Sequence, residues 1–162
     1  MTTTTGEITI RRVTAGDEAA ITCLIDGLDA ESRYRRWFTG AIDVRRAVEW
    51  ASHPERVEAI GLLAFAGDEP VGHAVMIPAP GGRAEIAFEV AAAWRYHGVA
   101  GTLLEELLTA ATARDLTELY ACVLGENADM LAVLREHGEH SETREGSVVT
   151  VTVPVPQRLV VS

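Results

Sequence analysis

Polar and apolar residues alternate over Glu7-Ile8-Thr9-Ile10-Arg11, a period of two that predicts a first strand with one face toward a core. After a turn with a helix cap at Thr14-Ala15-Gly16-Asp17 the period changes. Ile21, Leu24, Ile25 and Leu28 recur at helical steps and predict a helix from Glu18 to Leu28. Asp29 to Thr39 contains SRYRRWF, a polar and aromatic segment, and Asp43 caps a second helix through about Ser52, with Pro54 just past its end. Glu58–Ala66 and Val71–Ile77 read as strands around a turn at Gly67-Asp68-Glu69-Pro70. Beyond the loop Pro78–Gly82, the stretch Arg83–Ala91 alternates again. Ala84, Ile86, Phe88 and Val90 fall on one face, Glu85, Ala87 and Glu89 on the other.

From Gly98 onward Leu103, Leu104, Leu107, Leu108 and Ala111 form one apolar stripe, with Glu105, Glu106, Thr109 and Thr112 opposite, so a helix is predicted. Leu116–Leu124 reads as a strand, and Glu126-Asn127 precedes a helix over Met130–His137 stopped by Gly138. The tail reads as a hairpin, Glu139–Arg144 and Val148–Val155 around Glu145-Gly146. The order β-α-α-β-β-β-α-β-α-β-β describes one α+β domain over residues 1–162 with a largely antiparallel sheet. Val148–Val155, taken as an exposed C-terminal strand, offers an edge for a homodimer.

Composition narrows the function. The 162 residues are 48% hydrophobic and 23% charged, a globular rather than disordered balance. The net charge is −10 and all 14 basic side chains are arginine, which argues against nucleic acid as a partner. No apolar run is long enough for a membrane span, and the N-terminus lacks the apolar stretch of a signal peptide, so a cytoplasmic chain with no membrane partner is expected. Cys23 and Cys122 lie far apart in apolar segments and are expected as buried, reduced thiols. No metal spacing appears; His137 and His140 straddle Gly138, and His73 and His97 are isolated.

The stretch WRYHGVAGTLL, Trp94–Leu104, places two glycines around a helix start. The first turn of a helix carries unpaired N–H groups and about half a positive charge. Small residues there let an anion reach the backbone. On pattern alone this is either an anion site or a glycine-containing strand-to-helix turn, and neither a Walker loop nor the dinucleotide fingerprint is present. The run Arg95-Tyr96-His97-Gly98-Val99-Ala100 matches (Gln/Arg)-x-x-Gly-x-(Gly/Ala), and Glu126-Asn127-x-x-Met130-Leu131 follows the next strand. In these motifs and in element order the chain resembles the GNAT superfamily of N-acetyltransferases. SRYRRWF, AEIAFEV and GENADML together look most like its protein-lysine acetyltransferase branch, here as a stand-alone domain.

The resemblance implies a three-layer domain, a mixed and mostly antiparallel sheet with helices on both faces. It implies acetyl-CoA as co-substrate and direct transfer to an amine acceptor, either a protein lysine or a small amine or amino-acid-like molecule; a non-catalytic acyl-CoA-binding module is the reading from another class. The amides of Val99, Ala100, Gly101, Thr102 and Leu103 would hold the pyrophosphate, with Gly98 opening the way and Arg95 nearby. Phe88 to Ala91, including Val90, would splay from Leu119–Leu124 and pair with the pantetheine amides. Asn127, with Met130 in its motif, would contact the pantetheine arm, and a backbone N–H near Val90 would stabilise the oxyanion. An even spacing puts Glu85 and Glu89 on one strand face as candidate bases; a carboxylate in a partly apolar cleft has a raised pKa, and the resemblance favours Glu85. The tyrosine that often protonates the thiolate in this family is replaced by Leu134, and Glu139 stands where many relatives have phenylalanine. Arg33, Arg35 and Arg36, interleaved with Tyr34, Trp37 and Phe38, either line the acceptor side or form a solvated helix face. Cys122, expected to be buried with a raised pKa, is a weak candidate for an acetyl carrier.

Overall fold

The computed structural model describes residues 2–5, 7–38, 42–137 and 140–157. Gly138 and Glu139, and with them the helix stop and the start of the tail hairpin expected there, lie outside these residues. Eight strands form one sheet in the order β1-β2-β3-β4-β5-β6-β8-β7. They are β1 (Thr2–Thr5), β2 (Ile8–Arg12), β3 (Ile60–Ala66), β4 (Glu69–Ala79), β5 (Arg83–Val90), β6 (Glu118–Leu124), β7 (Ser141–Glu145) and β8 (Val148–Pro154). Every neighbouring pair is antiparallel except β5–β6. The helices are α1 (Glu18–Asp26), α2 (Ala30–Trp37), α3 (Val44–Ser52), α4 (Val99–Ala113) and α5 (Ala128–Arg135).

The pleat divides the core in two. Leu62 and Ala64 of β3 join Ile86, Phe88, Leu104, Leu107, Leu131 and Leu134 on the α4/α5 side. Leu63, between them, packs with Ile21 and Ile25 of α1 and Val48 and Ala51 of α3 on the other. A central sheet between two helical layers follows, as the α+β expectation required.

Several elements depart from the expected pattern. β1 is added at the N-terminus from four β-branched threonines, which suit a strand. SRYRRWF is helical: Asp29 Oδ1 accepts from Ser32 N–H at 2.7 Å and starts α2. β8 lies between β6 and β7 rather than at an edge, so its ladder is already filled on both sides and it offers no site for a second chain; β1 and β7 are the edges. Both cysteines are exposed rather than buried. Cys23 falls outside the Ile21-Leu24-Ile25 face of α1, and Cys122 lies on the β6 face opposite buried Ala121 and Val123.

The turn before α1 is fixed electrostatically. Asp17 takes hydrogen bonds from Arg11 Nη1 at 2.8 Å, Arg11 Nη2 at 2.7 Å and Thr14 N–H at 2.7 Å. The Arg11 hydrogen bonds lead the effects that hold its carboxyl at about 2, against the opposing push of burial.

Candidate active site

The side chains of Trp94, Arg95 and Tyr96 anchor the turn before α4 to three different parts of the molecule. Trp94 packs against the core, and its ring is tilted against that of His97 with centroids 5.3 Å apart. Arg95 donates to Ser32 Oγ of α2 and lies 3.5 Å from Asp29 Oδ1. Tyr96 has φ +65°, a left-handed conformation costing about 1–3 kcal/mol for such a residue, and its hydroxyl donates to Asp129 Oδ2 of α5 at 3.1 Å. Gly98, at φ +79°, then caps α4.

The helix start faces open space. A Cβ on Gly98 or Gly101 would meet nothing within 4 Å. Val99, Ala100 and Gly101 are the first-turn residues whose N–H groups precede the helical ladder. That ladder begins at Thr102, whose N–H donates to Gly98 O at 3.0 Å and whose hydroxyl donates to the same oxygen at 2.9 Å. Leu103 is wholly buried. Of the five residues whose amides are expected at the diphosphate, Thr102 already donates its N–H within the helix and Leu103 is buried in the core. Directly beneath runs β4: a Cβ on Gly72 would stand 2.7 Å from Val99 Cγ1 and 3.2 Å from Leu103 Cδ1.

Beside this turn the sheet opens. β5 and β6 pair only from Arg83↔Glu118 to Glu85↔Tyr120 and then separate. A cavity of about 330 Å³ fills the gap, lined by Ile86–Val90, Ala121–Val123 and Gly98–Gly101. Ala91 N–H donates to Val71 O of β4 at 2.9 Å. Amides alternate along a strand, so those of Phe88 and Val90 point the other way, into the gap.

Of the residues expected at the cofactor, Phe88, Val90, Arg95, Gly98, Val99, Ala100, Gly101, Asn127 and Met130 line this cavity. Ala91 does not, since its amide belongs to β4. Asn127 caps α5 by accepting from Met130 N–H at 3.3 Å, which leaves its amide NH2 for another partner. Leu134 is wholly buried and has no proton to give.

The two carboxylates have different surroundings. Glu89 is buried; its Oε1 accepts from Arg36 Nε at 2.6 Å and its Oε2 is 2.6 Å from His73 Nδ1. Burial alone would raise its pKa, but the charges and hydrogen bonds of Arg36 and His73 outweigh this and hold it well below the usual carboxylate range. Glu89, expected as a candidate base, is thus a buried carboxylate paired on both oxygens. Glu85 is half-buried at the vertex where β5 and β6 part, opposite Tyr120. Cys122, on the same face two residues beyond Tyr120, lines the cavity in an exposed position.

The Arg36–Glu89–His73 cluster, the Gly72 contact and Tyr120 at the vertex were not expected from sequence. The only advance signal was the even spacing of Glu85 and Glu89; pairing across β4–β5 (His73↔Glu89) is non-local. His137 and His140 have separate contacts, with Val133 O at 2.9 Å and Glu142 Oε2 at 3.0 Å.

The model of the acetyltransferase (GNAT) family matches residues 25–138, which span α2 through α5 and the whole cavity. The chain belongs to the GNAT family. It is similar to the GNAT domain of PAT from S. lividans, at 28% identity and TM-score 0.83 over 92% of this chain and 91% of that one. Two further GNAT-fold structures share the architecture. One is yncA, a putative acetyltransferase from Salmonella typhimurium with its cofactor acetyl-CoA, at 16% identity and TM-score 0.75 over 96% and 98%. The other is spermidine N-acetyltransferase from Vibrio cholerae in complex with CoA and spermine, at 19% identity and TM-score 0.73 over 92% and 96%. As a GNAT acetyltransferase, the chain uses acetyl-CoA as co-substrate.

Proposed function

We propose that the chain transfers the acetyl group of acetyl-CoA directly to a primary amine, and that the amine is a lysine side chain of another protein. The observation that carries this reading is the gap between β5 and β6, which runs from a half-buried carboxylate at its vertex to a glycine-capped helix start at its mouth. The amides of Val99, Ala100 and Gly101 hold the diphosphate, where the helix dipole adds positive charge. The gap-facing amides of Phe88 and Val90 serve the pantetheine and the thioester oxygen, that of Val90 acting as oxyanion donor. Asn127 donates to the pantetheine arm, flanked by Met130.

An amine of pKa about 10.4 is nearly all protonated at pH 7, and freeing it costs about 4–5 kcal/mol. Glu85 is the base that takes the proton. The acceptor assignment follows the similarity to the PAT domain and the openness of the sheet face that carries Glu85 and exposed Cys122, which a side chain on a folded partner can reach.

The test is release of CoA thiol from acetyl-CoA with lysine peptides, spermidine and free amino acids. Lysine peptides are expected to be the best acceptors. Glu85→Gln is expected to keep CoA affinity and lose at least about a hundredfold in kcat, in line with general-base contributions. Unchanged turnover in that variant removes the base assignment, and a preference for free amines redirects the acceptor.

A further inference from the structure

Glu89 borders two cavities. With its partner Arg36 it lines the β5–β6 gap, and the same pair, now with His73, lines a separate cleft of about 430 Å³. This cleft lies between α1, α2, α3 and the β4–β5 ladder. Among the described residues none from β6, α4 or α5 borders it, nor does Glu85, so it stands apart from the site of acetyl transfer. Its walls are mostly apolar: Ile25 of α1, Trp37 of α2, Ile42 just before α3, and Ala47 and Trp50 on it. An apolar cleft of this size with few polar groups is the usual form of a small-molecule site. Among the described residues no serine, threonine or cysteine lines it, so it holds a ligand rather than attacks one.

His73 is the polar group that the fold leaves unfinished there. It sits on β4 opposite Glu89 of β5 and is only 3% exposed. Its Nδ1 is 2.6 Å from Glu89 Oε2, while its Nε2 is buried with no hydrogen-bond partner. A buried polar atom without a partner is costly and rare. Arg36 and His73 keep Glu89 ionised, and an ionised carboxylate only accepts, so the proton shared with His73 sits on Nδ1. In the neutral ring Nε2 is then a lone pair awaiting a donor. The charges of Arg36 and Glu89 cancel, as do those of Asp43 and Arg46, which also line the cleft. Nothing in the wall offsets a further buried charge. The cleft fits a molecule that is uncharged, largely apolar and able to donate one hydrogen bond.

We propose that the cleft between α2 and α3 is a second ligand site, which takes a small neutral alcohol or phenol whose hydroxyl donates to His73 Nε2. The apolar body of the ligand lies against Ile25, Trp37 and Trp50. Its hydroxyl completes the row Arg36–Glu89–His73–ligand, so that every polar group in the row is paired. The ligand reaches Nε2 by displacing a lining side chain, and Trp50, 40% exposed, has room to turn. The site depends neither on the identity of the acetyl acceptor nor on Glu85 as base.

The test is NMR titration of the full chain, labelled with nitrogen-15, using three probes of one shape. They are p-cresol, p-xylene with methyl in place of hydroxyl, and 4-methylbenzoate with carboxylate in its place. p-Cresol is expected to shift amides of α1, α3 and β4 and the His73 Nε2 resonance, with a Kd at least about tenfold below that of p-xylene, the worth of one buried hydrogen bond. Saturating CoA is expected to leave p-cresol bound. His73→Asn, whose amide keeps a donor for Glu89 but lacks Nε2, is expected to lose the preference for p-cresol and to bind p-xylene as before. The proposal is overturned by equal affinity for p-cresol and p-xylene, by tighter binding of 4-methylbenzoate, by displacement with CoA, or by no binding of p-cresol. Should His73→Asn fail to fold, Trp50→Ala decides. It is expected to weaken p-cresol and p-xylene alike, by about threefold or more, through lost apolar contact; native affinity for both overturns the site. A protein that acetylates amines but gives no p-cresol shifts overturns this inference and leaves the acetyl-transfer reading standing.

Discussion

Glu85 and Glu89 share one face of one strand, yet their fates differ because of what the rest of the chain places over them. α2 brings Arg36 and β4 brings His73 to Glu89, and the carboxylate becomes a buried anchor. Glu89→Gln is expected to cost about 3 kcal/mol or more in urea unfolding, since it leaves Arg36 and His73 facing an uncharged amide; a loss under 1 kcal/mol contradicts this. Asp17 gives a pH signature. Its folded pKa of about 2 lies below its ordinary 3.8, so the stability it supplies is present above about pH 4 and is lost as pH falls toward 2. Arg11→Ala is expected to remove about 1–2 kcal/mol of that acid-sensitive stability, discounted because Arg11 is partly exposed. Urea midpoints at pH 6 and pH 3 check it; equal acid losses in both proteins contradict it. The alternation of β5 was legible in sequence because period two depends on neighbours alone. Which of its carboxylates would be covered was not, since the partners lie 53 and 16 residues away.

α4 and α2 show how far an element's own residues can predict it. The stripe of α4 is repeated at every turn and is buried as expected, with Leu103, Leu104 and Leu107 wholly enclosed. Leu104→Ala is expected to cost about 2–5 kcal/mol, read by urea unfolding. α2 buries no residue. Apart from Trp37, which packs partly against the α1/α3 core, polar contacts fasten it: Arg36 to Glu89, Arg35 to Asp129 at 3.6 Å, Arg33 to Ile25 O at 3.1 Å, and Ser32 to Arg95. A sequence search for apolar periodicity has little to find there, which is why a solvated helix face was only one of two readings of SRYRRWF. Amides of α2 are expected to exchange hydrogen faster than those of α4, and faster still in high salt; equal protection contradicts the tether account. Gly72 was silent for another reason, because only the docked helix forbids its Cβ. Gly72→Ala is expected to shift the start of α4 and weaken CoA binding at least tenfold, while a variant with native affinity contradicts the close approach.

At the scale of the molecule, strand order turns a terminal hairpin into an interior strand and leaves β1 and β7 at the edges. Sequence patterns pointed to every strand but β1 and to helix α4, but pairing across the sheet set the gap where β5 leaves β6. The charge of −10 is compatible with a cationic acceptor and is equally what solubility alone asks of a surface. Among the described residues no helix is long and apolar enough to cross a membrane. The most direct test of the central claim, that first-turn amides of α4 grip a diphosphate at the mouth of the β5–β6 gap, is calorimetry of CoA against pantetheine, which lacks the diphosphate. CoA is expected to bind at least a hundredfold more tightly. Equal affinity for the two, or no heat with CoA, contradicts the account.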